Sequence, residues 1–232
     1  MSERITPRQR PDTWDHHILE SVINLREYGT IDFRDRTVVD VGAHIGAFTL
    51  LAARHGARRV LAFEAGSENF EMLQANCGAY PGVECRHAAV WGGGESPTSL
   101  VWRPNAHAEN TGGGTVVPCA SVAGFGFSPD GAETVHTVPL DRIIEELGRI
   151  DLLKIDAEGS EYPILLGSRL LNRVGEIVGE FHTLNSPQAP DSKQWNITQL
   201  VRHLQAEGFI VERDLHPENG IFRAFRPQSR VS

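Results

Sequence analysis

The sequence has few cysteines and no excess of basic residues. Its three cysteines, Cys77, Cys85 and Cys119, are scattered and lack CxxC spacing, so they predict neither a disulfide framework nor a structural zinc site. The 22 lysines and arginines are outnumbered by 30 aspartates and glutamates, which leaves a formal charge of −8. A general nucleic-acid-binding surface needs a basic stripe, so this balance favours a small or neutral partner.

The sequence also lacks the segments that take a protein to a membrane. No run approaches the ~20 apolar residues that span a bilayer, and no N-terminal stretch is typical of a secretion signal. We therefore expect a cytoplasmic protein that binds neither membrane nor nucleic acid. A length of 232 residues predicts one α/β domain with a substantial core, and a homo-oligomer stays open.

Apolar runs alternate with helical patterns along most of the chain, which is typical of βαβ units and a mostly parallel sheet. Strands are predicted at residues 37–42, 58–65, 82–90, 150–159 and 174–182. Helices are predicted between them at 46–56, 67–76, 138–148 and 160–171, with Ser67 as an N-cap and Pro163 in a first turn. A helix at 197–207 and a strand hairpin at 208–226 complete the pattern.

Two segments depart from this alternation. An amphipathic helix at 16–28 lies in an expected N-terminal helical cap over residues 1–36. Residues 92–138 contain two glycine triplets, several prolines and short β-prone pieces, and predict a β-rich insertion. The main domain is therefore expected to span residues 37–232.

Acidic residues end three of the predicted parallel strands: Asp40 the first, Glu64 the second, and Asp156 with Glu158 the fourth. Ligands of open α/β sheets bind outside the carboxyl ends of the strands, where the strand order reverses. These acids are thus expected to share one binding crevice.

The stretch DVGAHIG carries Gly42 and Gly46, which allow a sharp turn and a close approach of a ligand. It departs from GxGxxG and begins with a carboxylate, Asp40, that would repel a pyrophosphate. Glu64 stands where an acid commonly accepts hydrogen bonds from ribose hydroxyls. An adenosine that carries a positive group, S-adenosylmethionine, suits this combination.

Four stretches, VVDVGAHIGAFTLLAARHGARRVLAFEAGSENFEMLQAN, VPLDRII, DLLKIDAEGSEYPILLGSRLL and EIVGEFH, closely resemble the FkbM family of S-adenosylmethionine-dependent methyltransferases. The resemblance covers residues 37–207, and LKIDAEGSE is a specific family signature. It implies the Rossmann-like class I fold, a seven-stranded mostly parallel sheet with an antiparallel last strand. It also implies methyl transfer, usually to oxygen, in secondary metabolite biosynthesis.

The resemblance has two departures: His44 replaces a common asparagine, and Ala65 a common proline. His44 is expected either to touch the methionine moiety or to be a hydrogen-bonded loop residue. The predicted donor-binding set is Asp40, Gly42, His44, Gly46, Glu64, Ala65, Ala89 and Asp156.

Strand parity places Lys154 and Asp156 on one face of the fourth strand, and Glu180 and His182 on one face of the fifth. Buried charges persist when they are paired, and a Lys154–Glu180 ion pair is one expectation. The predicted catalytic set is Lys154, Asp156, Glu158, Glu180 and His182. Glu161 is expected only to complement the helix macrodipole.

An alcohol must lose its proton during methyl transfer, and neutral His182 is the candidate general base. Its alternative is a residue that orders the pocket. In the rival route Asp156, Glu158, Glu180 and His182 bind Mg²⁺, which lowers the pKa of the acceptor.

Recognition of a small-molecule acceptor, such as a sugar, polyketide or peptide-type intermediate, is expected outside the common core. The candidates are Trp14, His16, His107, Glu109 and Asn110. Nitrogen or carboxyl methylation stays possible, as does an inactive donor-binding scaffold. A nicotinamide oxidoreductase is disfavoured because GxGxxG is missing.

Overall fold

The computed structural model describes residues 6–24, 26–93, 97–117, 121–122, 126–185, 195–214 and 219–227. Helix α1 (Asp15–Leu19) continues into a π-helical turn (Glu20–Asn24). The predicted helix at 16–28 is wrong at its end, because Arg26 has a φ of +54° and residues 26–28 are not helical. The turn buries Tyr28 against the sheet instead.

The first half of the chain contains β1 (Thr37–Val41), α2 (Ala47–Arg54), β2 (Arg59–Glu64), α3 (Ser67–Cys77), β3 (Val83–His87), β4 (Ala89–Trp91), β5 (Ser99–Trp102) and β6 (Ser121–Val122). The second half contains β7 (Glu133–Pro139), α4 (Leu140–Leu147), β8 (Ile150–Ile155), α5 (Glu161–Gly167), a 3-10 turn (Leu171–Arg173), β9 (Val174–His182), β10 (Leu184–Asn185), α6 (Ile197–Ala206), β11 (Ile210–Arg213) and β12 (Asn219–Phe225).

Seven strands form the central sheet in the order β11-β12-β9-β8-β1-β2-β3. Strands β3, β2, β1, β8 and β9 pair in parallel, whereas β12 runs antiparallel to both of its neighbours. The predicted fold class, with its antiparallel last strand, is confirmed. The order reverses between β1 and β8, so the loops that follow these two strands meet at one edge.

Helices cover both faces of this sheet, which explains why the central strands are continuously apolar. On one face α4, α5 and α6 pack on the largest core cluster, which includes Leu153 and Ile177. On the other, α2 packs with the cap around Tyr28, Phe33 and Phe48. The aromatic rings of Tyr28 and Phe48 meet edge to face, with their centroids 5.6 Å apart.

Several predicted boundaries differ from the structure. The predicted strand at 82–90 is two strands, because the chain leaves the central sheet at Ala88 and β4 joins a second sheet, β4-β7-β5. Ser67 is the first helical residue of α3 rather than its N-cap, which is Gly66. Helix α5 ends at Gly167, and β8 ends at Ile155.

The segment predicted as a β-rich insertion contributes β5, β6 and most of β7, and its described residues contain no helix. Strand β6 pairs with β10, just beyond the end of β9. The turn of the C-terminal hairpin lies outside the described residues. No helix in the described ranges combines the length and the apolar character needed to cross a membrane.

Candidate functional site

A cavity of about 380 Å³ opens at the carboxyl ends of β1, β2 and β8. The cap covers one side of it, the loop after β1 and the end of β2 form its floor, and the loop after β8 closes another side. The predicted site residues that line it are Trp14, Gly42, His44, Glu64, Ala65, Ala89, Asn110, Lys154, Asp156, Glu158 and Glu180. The cavity therefore joins residues from distant parts of the chain.

The loop after β1 has a close fit to the loop after β8. Gly42 has a φ of +72°, and a Cβ there would lie 1.8 Å from the backbone oxygen of Asp156. Gly46, the N-cap of α2, faces α3 and not the cavity, since a Cβ there would lie 2.4 Å from the Cys77 sulfur. Gly42 thus shapes the cavity, whereas Gly46 allows α2 to pack against α3 and is not among the lining residues.

Glu64 is buried at the end of β2, and both of its carboxylate oxygens are anchored. The backbone N–H groups of His44 and Gly66 donate to them over 2.8 and 2.9 Å. Burial is the main cause that raises the pKa of Glu64 above its ordinary value. The Asn69 side chain also hydrogen-bonds to Glu64. A carboxylate has about four lone-pair sites, so Glu64 can still accept a ribose hydroxyl.

Asp40 lies beneath the cavity and does not line it. Its Oδ2 accepts a hydrogen bond from Thr49 over 2.7 Å, and its Oδ1 lies 3.3 Å from Lys154 Nζ. Lys154 in turn donates to the backbone oxygen of Gly42 over 2.6 Å. Asp40 therefore supports the loop after β1 through Lys154. Because Asp40 does not line the cavity, the structure does not support the direct contact with the methyl donor that the sequence predicted.

Lys154 forms its ion pairs with Asp40 and with Asp156, whose Oδ2 lies 3.8 Å away, so the predicted Lys154–Glu180 pair is wrong. Burial by itself would lower the pKa of Lys154, but the charges of Asp40 and Asp156 raise it above its ordinary value. The ammonium therefore stays charged in a closed setting. Glu180 is instead within 3.1 Å of the Asn219 amide, which donates to it.

His182, at the end of β9, is enclosed by carboxylates and is 3% exposed. Its Nδ1 lies 3.1 Å from Glu161, and its Nε2 lies 3.5 Å from Glu158, 3.9 Å from Glu180 and 4.0 Å from Asp156. Burial opposes its charge, but the surrounding carboxylates hold the pKa of His182 well above its ordinary value. These carboxylates favour the protonated imidazolium form of His182. The neutral imidazole that a general base requires is therefore disfavoured.

Glu158 and Glu180 both line the cavity and face His182. Burial, followed by the nearby charge of Asp156, raises the pKa of Glu158 to about 8 and that of Glu180 to about 7. A carboxylate with a pKa near neutral is suited to accept a proton from a substrate. Glu180 is therefore better placed than His182 to act as the base, whereas Glu158 is mostly protonated at neutral pH.

Glu161 is the main functional residue that the sequence reasoning missed. It is fully buried, and its carboxylate accepts the N–H groups of Ala157 and Gly159 over 2.7 and 2.9 Å. This clamp holds Glu158 at a φ of +49°, which is uncommon for a residue with a side chain. The sequence did not reveal this role, because an acid in a first helical turn is common, and because the partner of Glu161, His182, lies on a different element, at the end of β9.

Two further residues were missed. Tyr28 donates its phenol hydrogen to Asp156 over 2.8 Å, which fixes that carboxylate from the cap. Ser160 is 1% exposed and lines the cavity, and its hydroxyl has no hydrogen-bond partner among the described residues. The sequence offers no signal for Tyr28, whereas Ser160 follows the strand-end acids directly.

The predicted acceptor residues divide into two groups. Trp14 and Asn110 line the cavity. His16, His107 and Glu109 do not: His16 lies 3.8 Å from Glu20, and His107 3.8 Å from Glu109, on exposed surface. The backbone oxygen of Glu109 accepts the N–H of Trp14 over 2.8 Å, so Glu109 holds the cap in place rather than facing the cavity.

The sheet order, the antiparallel last strand and the crevice at the reversal of strand order are those of the Rossmann-like class I fold, and the match to a methyltransferase domain identifies the chain as an S-adenosylmethionine-dependent methyltransferase. The chain belongs to the FkbM family, because residues 40–211 match the methyltransferase FkbM domain.

Among characterised proteins, the chain is 32% identical over 183 residues to the AMB antimetabolite synthetase AmbE of Pseudomonas aeruginosa. That match covers 64% of this chain and only 8% of the much longer synthetase.

Solved structures with a similar fold have lower sequence identity to this chain. A precorrin-6y C5,15-methyltransferase from Geobacter metallireducens has 15% identity and a TM-score of 0.46, with 97% of this chain and 94% of that chain covered. The Methanococcus jannaschii fibrillarin pre-rRNA processing protein has 12% identity and a TM-score of 0.49, with 85% and 70% covered. The assignment rests on the family match.

Proposed function

We propose that this protein transfers the methyl group of S-adenosylmethionine to a hydroxyl group of a small-molecule biosynthetic intermediate. One observation carries the proposal. A single cavity brings together Glu64, a carboxylate suited to ribose, and Glu180, a carboxylate suited to accept a proton.

The donor occupies the side of the cavity formed by the loop after β1 and the end of β2. Glu64 accepts the ribose hydroxyls, and Gly42, which lines the cavity, lets the loop after β1 pack directly on the backbone of the loop after β8. Acidic residues dominate the polar lining, where Glu27, Asp156, Glu158 and Glu180 face only one lysine. A sulfonium cation bound beside these carboxyl groups favours their ionised forms and is stabilised by them.

In the reaction, the acceptor oxygen attacks the methyl carbon in line with the departing sulfur. The carbon–sulfur bond breaks and its electron pair stays on sulfur, which leaves S-adenosylhomocysteine. The hydroxyl proton passes to Glu180, the preferred acceptor, because its pKa of about 7 leaves a share of this carboxyl group ionised at neutral pH, whereas Glu158, with a pKa of about 8, mostly holds a proton there. His182 then keeps its own proton and offsets the negative charge of the neighbouring carboxylates.

The acceptor is a small molecule rather than a nucleic acid, since the chain carries a formal charge of −8 and the cavity has about 380 Å³. The related region of a synthetase that makes an antimetabolite supports a role in secondary metabolite biosynthesis. Trp14 and Trp102 supply apolar walls for the acceptor. Transfer to nitrogen or to a carboxylate is the alternative that the same donor site would serve.

A Mg²⁺-assisted route is a second candidate that a specific arrangement favours. Three possible metal-ligating atoms, a carboxylate oxygen of Asp156, a carboxylate oxygen of Glu180 and a ring nitrogen of His182, lie within 4.8 Å of one another. Glu161 faces Nδ1 and leaves Nε2 toward the carboxylates, which is the orientation of metal-bound histidines. These residues fit a divalent cation, which would supply Lewis-acid activation of the acceptor oxygen.

Isothermal titration with S-adenosylmethionine and S-adenosylhomocysteine, each with EDTA and then with Mg²⁺, tests the donor site first. Transfer of a labelled methyl group to hydroxyl, amine and carboxylate forms of matched small compounds then tests the acceptor class. Donor binding with transfer to the hydroxyl forms is expected. Failure to bind S-adenosylmethionine and S-adenosylhomocysteine in any condition would overturn the proposal. Activity that EDTA abolishes and Mg²⁺ restores would favour the metal route.

A further inference from the structure

Alternate residues in one strip of the insertion line the cavity. This strip, residues 110–116, contributes Asn110, Gly112, Gly114 and Val116 to the cavity wall, whereas the three residues between them do not line it. A period of two is typical of an extended chain. Because glycine has no side chain, Gly112 and Gly114 line the cavity with main-chain atoms, and both residues are partly exposed.

The hydrogen bonds of the strip follow the same alternation. The main chain of Thr115 exchanges two hydrogen bonds of 2.9 Å with that of Arg103, which follows β5. The backbone oxygen of Gly113 accepts a hydrogen bond from the Asn105 side chain, also in the segment after β5, over 3.4 Å. In an extended chain, the main-chain groups of alternate residues point to the same edge. Those of the two cavity-lining glycines therefore point to the opposite edge, away from β5.

The edge formed by these glycines is unpaired in the described part of the chain. The N–H and C=O groups of Gly112 and Gly114 make no hydrogen bond to any described residue. Main-chain polar groups that are shielded from bulk water are paired in native proteins, with protein, ordered water or a ligand. An unpaired strand edge is also a template for another extended chain. An edge of this kind on a cavity wall therefore fits a ligand that carries amide groups.

The strip is fixed in place close to the reacting groups. Just before it, the backbone oxygen of Glu109 accepts the N–H of Trp14 in the cap over 2.8 Å. Near its other end, the hydroxyl of Thr115 donates to the backbone oxygen of Glu158, in the loop after β8, over 2.6 Å. The unpaired edge is thus held between the cap and the loop that carries the strand-end acids.

Apolar side chains flank the same edge. A Cβ at Gly114 would lie 2.4 Å from the ring of Trp102, and one at Gly112 would lie 3.1 Å from Ile18. Both of these side chains line the cavity. They offer apolar surface beside the main-chain polar groups, a combination that suits the alternating side chains and amides of a peptide.

We propose that the methyl acceptor is a peptide-type compound whose amide N–H and C=O groups pair with the main chain of Gly112 and Gly114, and whose hydroxyl group lies at the reacting end. The inference rests on the proposed function and names the class of its acceptor. In an antiparallel strand pair, one residue exchanges two hydrogen bonds with one residue of its partner, so each glycine accommodates one residue of the acceptor. A sugar offers hydroxyl groups without this fixed spacing of one donor and one acceptor.

Two matched compounds test this pairing. N-acetylserine methylamide carries a hydroxyl group together with the N–H and C=O groups of one peptide residue. Its ester analogue has an oxygen in place of the serine N–H and so lacks the hydrogen that pairs with a glycine carbonyl. We expect the complex with S-adenosylhomocysteine to bind the amide compound roughly threefold or more tightly than the ester. The amide compound should also shift the N–H resonances of Gly112 and Gly114 in ¹⁵N NMR spectra.

Asn110 offers a matched pair of variants. Its side-chain oxygen accepts the N–H of Gly113 over 3.1 Å, which makes Asn110 a positioning residue for the strip. We expect Asn110→Ala to reduce the preference for the amide compound over the ester to less than about twofold, and Asn110→Asp, which keeps an acceptor oxygen, to retain it. The affinity for S-adenosylhomocysteine should be the same in both variants as in the unmodified protein. Thermal unfolding checks that both variants fold.

The outcomes separate this inference from the proposed function. If the unmodified protein does not bind S-adenosylhomocysteine, the proposed function itself fails. If it binds S-adenosylhomocysteine and methylates methyl glucoside but not the amide compound, the proposed function stands and the peptide-type acceptor is overturned. Equal affinity for the amide compound and its ester would also overturn it, as would unchanged resonances of Gly112 and Gly114 at the solubility limit of the amide compound. A retained preference in a folded Asn110→Ala protein would overturn the positioning role of Asn110.

Discussion

Glu161 Oε1 lies 3.1 Å from Nδ1 of His182, and both side chains are almost completely buried. The same carboxylate accepts the N–H groups of Ala157 and Gly159. One residue therefore orients the ring at the end of β9 and shapes the loop after β8.

Replacement of Glu161 by alanine is expected to lower the free energy of unfolding by about 3–5 kcal/mol, because the charge of His182 loses a buried partner and two backbone N–H groups lose their acceptor. Glu161→Gln, which keeps one oxygen, should cost less. Urea denaturation measures both. A loss of only about 0.3–1 kcal/mol for Glu161→Ala would return Glu161 to the helix-dipole role expected from sequence.

His182 is expected to be protonated at pH 7 in the ligand-free protein, because the carboxylates around it raise its pKa well above the ordinary value. A histidine NMR titration shows this directly, with the signal assigned by its loss in His182→Asn. Its ring protons should keep their imidazolium shifts through pH 7. A midpoint at or below about 6.5 would restore the neutral-base hypothesis.

Glu158→Gln should stabilise the ligand-free protein increasingly as pH rises. The pKa of Glu158 is raised to about 8, so between its ordinary value of 4.5 and about 8 the folded protein holds a proton that the unfolded chain has lost. Wild-type stability therefore falls with rising pH through this window.

The difference between Glu158→Gln and wild type should grow over that window and level off above it. Denaturation curves at several pH values measure it, and Glu68→Gln, at an exposed position outside the cavity, is the control. Parallel stability curves for Glu158→Gln and wild type would contradict the raised pKa.

Gly42→Ala should destabilise the protein by about 3 kcal/mol or more, since its Cβ would overlap the backbone oxygen of Asp156. Gly29→Ala is a matched control, because Gly29 also has a positive φ, +77°, but nothing lies within 4 Å of a Cβ there. It should cost only about 1 kcal/mol. Equal losses in thermal unfolding would show that the close approach to Asp156 contributes nothing.

Glu64→Ala is expected to weaken binding of S-adenosylhomocysteine by about 1–3 kcal/mol, because the ribose hydroxyls lose their acceptor. Calorimetric titration measures the change, and Glu71→Ala, on the exposed side of α3, should leave the affinity unaltered. Unchanged affinity in a folded Glu64→Ala protein would remove Glu64 from the donor site.

Local patterns were sufficient for the sheet and for part of the site. Apolar runs predicted the central strands, because strands that are buried on both faces consist of nearly continuous apolar residues. Strand β9 has the predicted bounds. The strand-end residues Glu64, Asp156 and Glu158 were found because parallel strands end at a common edge. The corrections at Ala88 and Arg26 concern places where the chain changes direction without a strong local signal.

By itself, the sequence determined the fold class, the family and the edge of the sheet that carries the cavity. Only the tertiary structure decided the partners of the charged residues: Lys154 with Asp40, Glu161 with His182, and Thr111 between Asp15 and His44. The physical reason is distance along the chain. Periodicity and propensity act over a few residues, whereas each of these pairings depends on how separate strands, helices and loops pack.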